Sequence, residues 1–480
     1  MSADTPIVIV WFRQDLRLAD NPALIFAAET KRKILPLYIL DDDNSGKWKM
    51  GEASRWWLHE SLKQLNQRLD GKLCYAKGDA LTLMEKLVQE HCVEGVYWNR
   101  CYEPWRMKRD AAIKRMLTYE GIEAKSFNGS LLFEPHQLLK SDGTPYKVFT
   151  PFYRKAYSSG DTAPSKPQAA PQKLPLYQHR ILELEDLKLL PDIAWYRDMA
   201  QEWTPGEAGA SQRLQSFLSE GLTDYKEGRD YPARPNVSRL SPHLHFGELS
   251  PNQAWYAVQN NIEPANFKKD GIPFLRQLAW REFSCSLLFH NPDMPTRNLH
   301  TKFDAFPWRE DPASLKQWQR GQTGYPIVDA GMRELWKTGY MHNRVRMIVG
   351  SFLVKNLLLH WHHGEQWFWD TLVDADLANN SVSWQWIAGC GADAAPYFRV
   401  FNPVTQGQRF DPHGDYVLQY VPELAQLPKP FLHCPWEAPA EALTSANIKL
   451  GETYPHPIVE LKPSRERALA AYSSLPKGDA

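Results

Sequence analysis

The chain has 480 residues, 56 Lys+Arg against 56 Asp+Glu, a formal net charge of zero and 43% hydrophobic residues. That balance excludes a polybasic nucleic-acid coat and an acidic disordered tail as descriptions of the whole chain, and leaves local basic patches open. The length suits two or three domains, and 13 of the 19 tryptophans fall between Trp195 and Trp436, which places the aromatic excess in the C-terminal part.

The first 130 residues alternate between two periods. Ile7–Phe12, Ile34–Leu40, Lys72–Tyr75 and Gly95–Trp98 are short apolar runs that read as strands. Between them Asn21–Lys31, Ala53–Leu69, Ala80–His91 and Pro104–Glu120 read as helices, with Asp20 and Gly71 as start and stop signals. Such alternation predicts an α/β domain, a Rossmann-like parallel sheet covered by helices. No GxGxxG follows the first strand and no GxxxxGK[ST] occurs, so neither a dinucleotide fingerprint nor a P-loop is expected.

Residues 131–204 read as a long interdomain linker, because the GDTAPSKPQAAPQKLP stretch (160–175) is dense in Pro, Ala and small polar residues. A surface loop within one domain is the alternative. Beyond 205 helical spacing dominates: Ala210–Glu220, Pro251–Asn260, Gly271–Phe289, Val328–Lys337, Val345–His360 and Glu365–Leu372. The expected division is therefore 1–130 α/β, 131–204 connection and 205–480 a larger all-α domain.

Six cysteines form no CxxC pair, so neither a disulfide scaffold nor a zinc ribbon follows. No apolar run is long enough to span a membrane and no leader pattern opens the chain. A soluble cytoplasmic protein is expected.

Three segments hold polar groups among aromatics. In Tyr225–Ser241, the backbone amides with Ser238, Arg239 and Ser241 are suited to a diphosphate, and a solvated loop is the equal alternative. In Phe274–Phe283, Gln277, Trp280, Arg281 and Ser284 share one helical face; a core Trp beside surface charges is the plain reading. The third runs from Tyr340–Met347 through Trp361 and Asp374–Asn380 to Trp384–Trp386. Asp374 and Asp376 are two apart, yet His360, His362 and His363 fall on the wrong side of a long helix, so no metal is expected. His243 and His245 read as structural. No GxSxG elbow or Cys-His nucleophile signature occurs. The residues alone leave a cofactor-binding enzyme and a receptor both open.

At these segments the chain resembles the photolyase/cryptochrome family. The resemblance starts at WFRQDLRLADNPAL and YKVFTPFYR, then includes SRLSPHLHFGELSP, WREF and TGYPIVDAGMRELWKTGYMHNRVRM. It continues through DADLANN, WQWIAGCGADAAPYFRVFNP, TQGQRFDPHG and YPHPIV, covering nearly the whole length. Within the family the pattern looks like a microbial cyclobutane pyrimidine dimer photolyase.

The resemblance implies an N-terminal antenna domain and a helical domain holding FAD. Flavin contacts carried over are Tyr225, Ser238, Arg239, Leu240, Ser241, Phe274, Arg281, Arg346, Asp374, Asp376 and Asn380, the last facing flavin N5. Trp384, Trp361 and Trp308 match the family's electron-transfer tryptophans. Contacts to UV-damaged DNA carried over are Arg229, Gln277, Trp280, Asn343, Arg344, Met347, Trp386 and Gln406. Glu103, in the WNRCYEP segment, resembles a contact to a second chromophore: 5,10-methenyltetrahydrofolate first, a deazaflavin second, none third. The implied reaction is light-driven splitting of the dimer with no net redox change, by a monomer with no obligate protein partner. The alternative is a cryptochrome-type blue-light receptor. Gln277 departs from the Glu common in dimer photolyases; an amide donates and accepts but supplies neither acid proton nor charge. Val237, Phe274 and Tyr340 also replace commoner residues around the flavin, and small tuning effects are expected of them.

Overall fold

The computed structural model describes residues 6–157, 163–393 and 398–476. The chain folds as two compact units. The first comprises Met1–Thr223, Ser238–Pro292 and Val373–Ala378; the second comprises Asp224–Val237, Asp293–Leu372 and Asn379–Ala480. Compactness thus divides the chain at places other than the composition change near residue 204.

In the first unit, β1 (Ile7–Phe12), β2 (Lys33–Leu40), β3 (Cys74–Lys77), β4 (Val93–Asn99) and β5 (Glu123–Phe127) form one sheet in the order β3-β2-β1-β4-β5. Every pairing is parallel. Each strand is joined to the next through a helix: α1 (Pro22–Glu29), α2 (Glu52–Arg68), α3 (Ala80–Glu90) and α4 (Pro104–Tyr119). Helices over a parallel sheet bury both of its faces, which is why β1 is apolar at every position and buried throughout. Asn21 caps α1 by accepting the Leu24 N–H at 3.2 Å, and Asp79 caps α3 through Thr82 at 2.8 Å.

The four expected strands are present, with Lys72–Tyr75 shifted to Cys74–Lys77. The strand β5, EAKSF, gives no apolar run because it is an edge strand with no fully buried residue. Pro36 is tolerated inside β2 for a geometric reason. Ile34, two residues earlier and so on the same side, pairs with Pro175 and Tyr177, and β3 begins its pairing only at Leu37. Part of the 131–204 stretch, around Pro175, Tyr177 and Leu182, therefore lies along the sheet. The stretch also carries the helix Phe149–Tyr157, whose Phe149 stacks on Trp280 of the helix Ile272–His290 at 3.7 Å and 7°.

The second unit is helical. Its framework includes Pro326–Thr338, Asn343–Ser351, Trp361–Thr371, most of Leu377–Ala388, and Pro403–Phe410. Asp329, fully buried, accepts from Thr323 and Gly324 backbone N–H groups and from the Tyr454 hydroxyl, which ties the loop before Pro326 to the C-terminal segment. The single helix expected over Val345–His360 is corrected to Asn343–Ser351 and a wide turn Phe352–Asn356, followed by Leu358 at φ 58°. No Gly or Pro marks this break. His360 then caps the next helix, its ring accepting from the His362 N–H at 3.2 Å, so the histidines do not lie on one long helix.

Candidate functional site

Two places gather the expected residues, one in each unit. In the first unit, Arg281 and Asp376 line a cavity with Glu103, Tyr102, His245 and Cys285. Its volume is about 40 Å³. Arg281 donates to the Ser130 carbonyl at 2.7 Å, and Asp376 lies 3.8 Å from His245 Nδ1, which has no hydrogen-bond partner. Glu103 pairs with Arg106 at 3.4 Å. Beside the cavity, Glu282 accepts from the Leu132 and Phe133 amides at 3.0 and 3.1 Å. Burial nevertheless raises its carboxyl to about 7, outweighing those amides and Arg281.

The other first-unit residues are placed as follows. Arg239 has φ 51°, pairs with Glu202 and lies over Trp203; Leu240 is buried and Ser241 exposed at the start of the turn Ser241–His245. Ser238 is half-buried. Phe274 is buried against Phe217. Asp374 and Asp376 form a tight turn, the Asp376 N–H donating to the Asp374 carbonyl at 2.7 Å. Gln277 donates to Pro273 of its own helix at 3.2 Å, and Trp280 has one face covered by Phe149.

In the second unit, Arg344 and Gln406 meet across a cleft of about 460 Å³, together with Asp230, Arg399, Arg409 and Phe410. Helix capping sets Arg344. Glu334 accepts the His342 N–H at 3.2 Å, and His342 Nδ1 in turn accepts the Arg344 N–H at 3.1 Å. Burial holds this imidazole neutral, its pKa pushed down to about 3, as an accepting Nδ1 requires. The Arg344 guanidinium sits 4.4 Å over Phe410 and 2.8 Å from Asp230. Its Nε and Gln406 Oε1 are buried without hydrogen-bond partners among the described residues. Asn343 is exposed, Met347 half-buried, and Trp386, half-buried, donates to the Asp393 carbonyl at 3.1 Å. Arg229 lies over buried Tyr225 at 5.4 Å, and Arg346 donates to the Met341 carbonyl at 2.7 Å.

The three tryptophans also belong to the second unit. Trp361 is fully buried, Trp384 nearly so and Trp308 half-exposed. His360 lies between two of them, 5.7 Å from Trp361 and 5.1 Å from Trp308 by ring centre. A Cβ at Gly364 would overlap the Trp384 ring, so glycine lets Trp384 lie against the helix that Trp361 begins. Asn380 donates one amide N–H to the Glu365 carbonyl at 3.0 Å, which fixes the side chain and leaves its second N–H and Oδ1 as further donor and acceptor.

Two family models match: DNA photolyase over residues 8–172 and the FAD binding domain of DNA photolyase over residues 274–474. A deoxyribodipyrimidine photo-lyase from Agrobacterium fabrum is 48% identical over 99% of this chain and 100% of its own length. The chain belongs to the DNA photolyase family. The crystal structure of a bacterial class III photolyase from Agrobacterium tumefaciens superposes with a TM-score of 0.93 at 47% identity, covering 99% of this chain and 98% of that one. Cryptochrome-1 of Arabidopsis thaliana is more distant, 36% identical over 97% of this chain and 70% of its own length.

FAD is the family's cofactor, and the photolyase residues here fit it. In the first unit the unpartnered His245 Nδ1 and the exposed Ser241 are polar groups suited to a hydrogen-bonding ligand. Among the described residues no three or more His, Cys, Asp or Glu side chains gather to hold a metal ion, and no helix is long and apolar enough to cross a membrane. The sequence reasoning missed Asp230, Arg399, Arg409 and Phe410. All four lie in or next to the family segments, but only folding shows that they share a cleft with Arg344.

Proposed function

We propose that this chain is a light-dependent DNA repair enzyme that splits cyclobutane pyrimidine dimers. The observation that carries this reading is the second-unit cleft, whose volume is within the usual range for ligand sites and whose Arg344 Nε and Gln406 Oε1 await partners. Bound reduced FAD supplies, on excitation, one electron that the dimer returns after its ring bonds open.

The chain's own residues do the rest. Tyr225, Ser238, Arg239, Leu240, Ser241, Phe274, Arg281, Arg346, Asp374, Asp376 and Asn380 hold the flavin. Asn380, held by Glu365 through one amide N–H, would face the flavin with an amide that both donates and accepts. Arg229 and Arg344 hold phosphates flanking the lesion, which positions DNA without reading sequence. Asn343, Met347, Trp386, Gln406, Gln277 and Trp280 contact an extruded dimer, as enzymes that flip their target base require. Trp384, Trp361 and Trp308 carry electrons between protein surface and flavin. The domain assignment that goes with this reading is antenna 1–130, connection 131–204 and flavin- and DNA-binding 205–480, in a cytoplasmic monomer.

A second chromophore held at Glu103, methenyltetrahydrofolate first and a deazaflavin second, belongs to the same reading, and absorption and mass of the chromophores released on denaturation decide between them and an empty site. The test of the function itself is dimer loss from an irradiated oligonucleotide, in blue light and in darkness. Light-dependent loss is expected. Dimers left intact by reduced, flavin-loaded protein would establish the blue-light receptor instead.

A further inference from the structure

We propose that Asn298 is a positioning residue of the electron relay, placed to keep the indole proton on Trp361 while an electron leaves it. The inference rests on the relay reading above.

Trp361 Nε1 donates to Asn298 Oδ1 at 3.0 Å, and Asn298 Nδ2 donates to Asp304 Oδ1 at 2.7 Å. An ionised carboxylate only accepts, so Asp304 fixes the amide's orientation: nitrogen toward the acid, oxygen toward the indole. Oxidised indole is a cation with an acidic N–H. Were its partner a carboxylate or an imidazole, the proton would follow the electron and leave a neutral radical, whose refilling needs a proton as well as an electron. An amide oxygen is far too weak a base for that. It holds the N–H and leaves the proton in place.

Asp304 stands one amide further out. Its negative charge aligns the amide dipole toward the indole and favours the cation, while the amide separates the carboxylate from the proton. Two imidazoles also lie close, His360 at 5.7 Å and His362 at 3.9 Å by ring centre, but the Nε1 hydrogen is directed at Asn298.

The step balances simply. One electron passes from Trp361 to oxidised Trp384, whose own electron has gone to the light-excited oxidised flavin. No bond breaks, the N–H stays on Trp361, and one electron from Trp308 restores it. The net change is one electron moved from Trp308 to the flavin.

The experiment is flash transient absorption on flavin-loaded, oxidised protein, following the protonated and deprotonated indole radicals. Wild type and Asn298→Ser, which keeps a neutral oxygen, should show the protonated form and its passage to Trp308. Asn298→Asp should show loss of that form and early growth of the deprotonated radical. Asn298→Asp passing the charge on as wild type does, or Asn298→Ser failing as Asn298→Asp does, would overturn the proposal. Trp361→Phe separates the two readings: if it still yields the Trp308 radical, the relay itself is wrong, whereas if it abolishes that radical while Asn298→Asp changes nothing, only the role of Asn298 falls.

Discussion

The cavity of the first unit and the cleft of the second are built on opposite principles. Around the cavity, about 40 Å³ in volume, most charge is held within the protein: Arg281 by Ser130, Glu103 by Arg106 and, beside it, Glu282 by two backbone amides, while His245 Nδ1 is left unpaired. Around the cleft, about 460 Å³ in volume, Arg399 and Arg409 are exposed and Arg344 keeps one N–H unpaired. A buried site gains by satisfying most of its polar groups within the protein, because low dielectric makes each orphan costly. A site for a polyanion gains by leaving positive charge in reach of water, where counterion release supplies affinity.

The contrast extends to pH, with opposite signs. Lys355, buried in the second unit and donating to the Arg399 carbonyl, has its amine pushed down to about 7 by burial. The unfolded amine keeps its proton to about pH 10.4, so between these values the unfolded chain binds more protons and stability rises with pH. Lys355→Met should flatten a rise on the order of 4 kcal/mol, read by denaturant unfolding from pH 6.5 to 10. Glu282 in the first unit is shifted the other way, to about 7 from an ordinary value near 4.3. Here the folded state holds the extra proton, so stability falls as pH rises from about 4.3 to 7. Glu282→Gln, which still accepts from the amides, should remove a slope worth on the order of 3 kcal/mol. If both variants left the pH profile unchanged, the contrast in burial would have no energetic content.

Two smaller effects sharpen the account of the cleft. Arg344→Ala should weaken binding to dimer-containing DNA about tenfold and reduce the salt slope by about one, measured by fluorescence anisotropy across a salt series. An unchanged slope removes Arg344 from the phosphate contacts. Asp230→Asn should act in the opposite direction, tightening DNA binding roughly two- to fivefold, because the phosphate no longer competes with the ion pair at 2.8 Å. Weaker binding would mean that Asp230 orients the guanidinium more than it occupies it.

The sheet was legible because buried parallel strands are unbroken apolar runs, and β1, β2 and β4 fall where those runs do. The strand β5 was not, since a polar edge strand lacks that pattern. The break at Leu358 escaped for a related reason: a left-handed leucine flanked by leucines carries no sequence mark. Composition alone did not reveal the candidate site, and the motifs supplied nearly all of it. Arg344 and Gln406 line one cleft, and the acid between Arg229 and Tyr231 is Arg344's ion-pair partner, which no motif marked. Trp280 is instructive in reverse. Its helical face was readable, but its stacking on Phe149 joins residues 131 apart in sequence, beyond any local pattern.

On the proposed function, the cleft handles DNA while the tryptophans serve only to load the flavin with electrons. The direct measurement is dimer splitting in blue light by chemically reduced Trp361→Phe protein, beside photoreduction of the same variant in its oxidised form. Photoreduction should be lost and splitting retained at the wild-type level. Equal loss of both would contradict the separation of the two jobs.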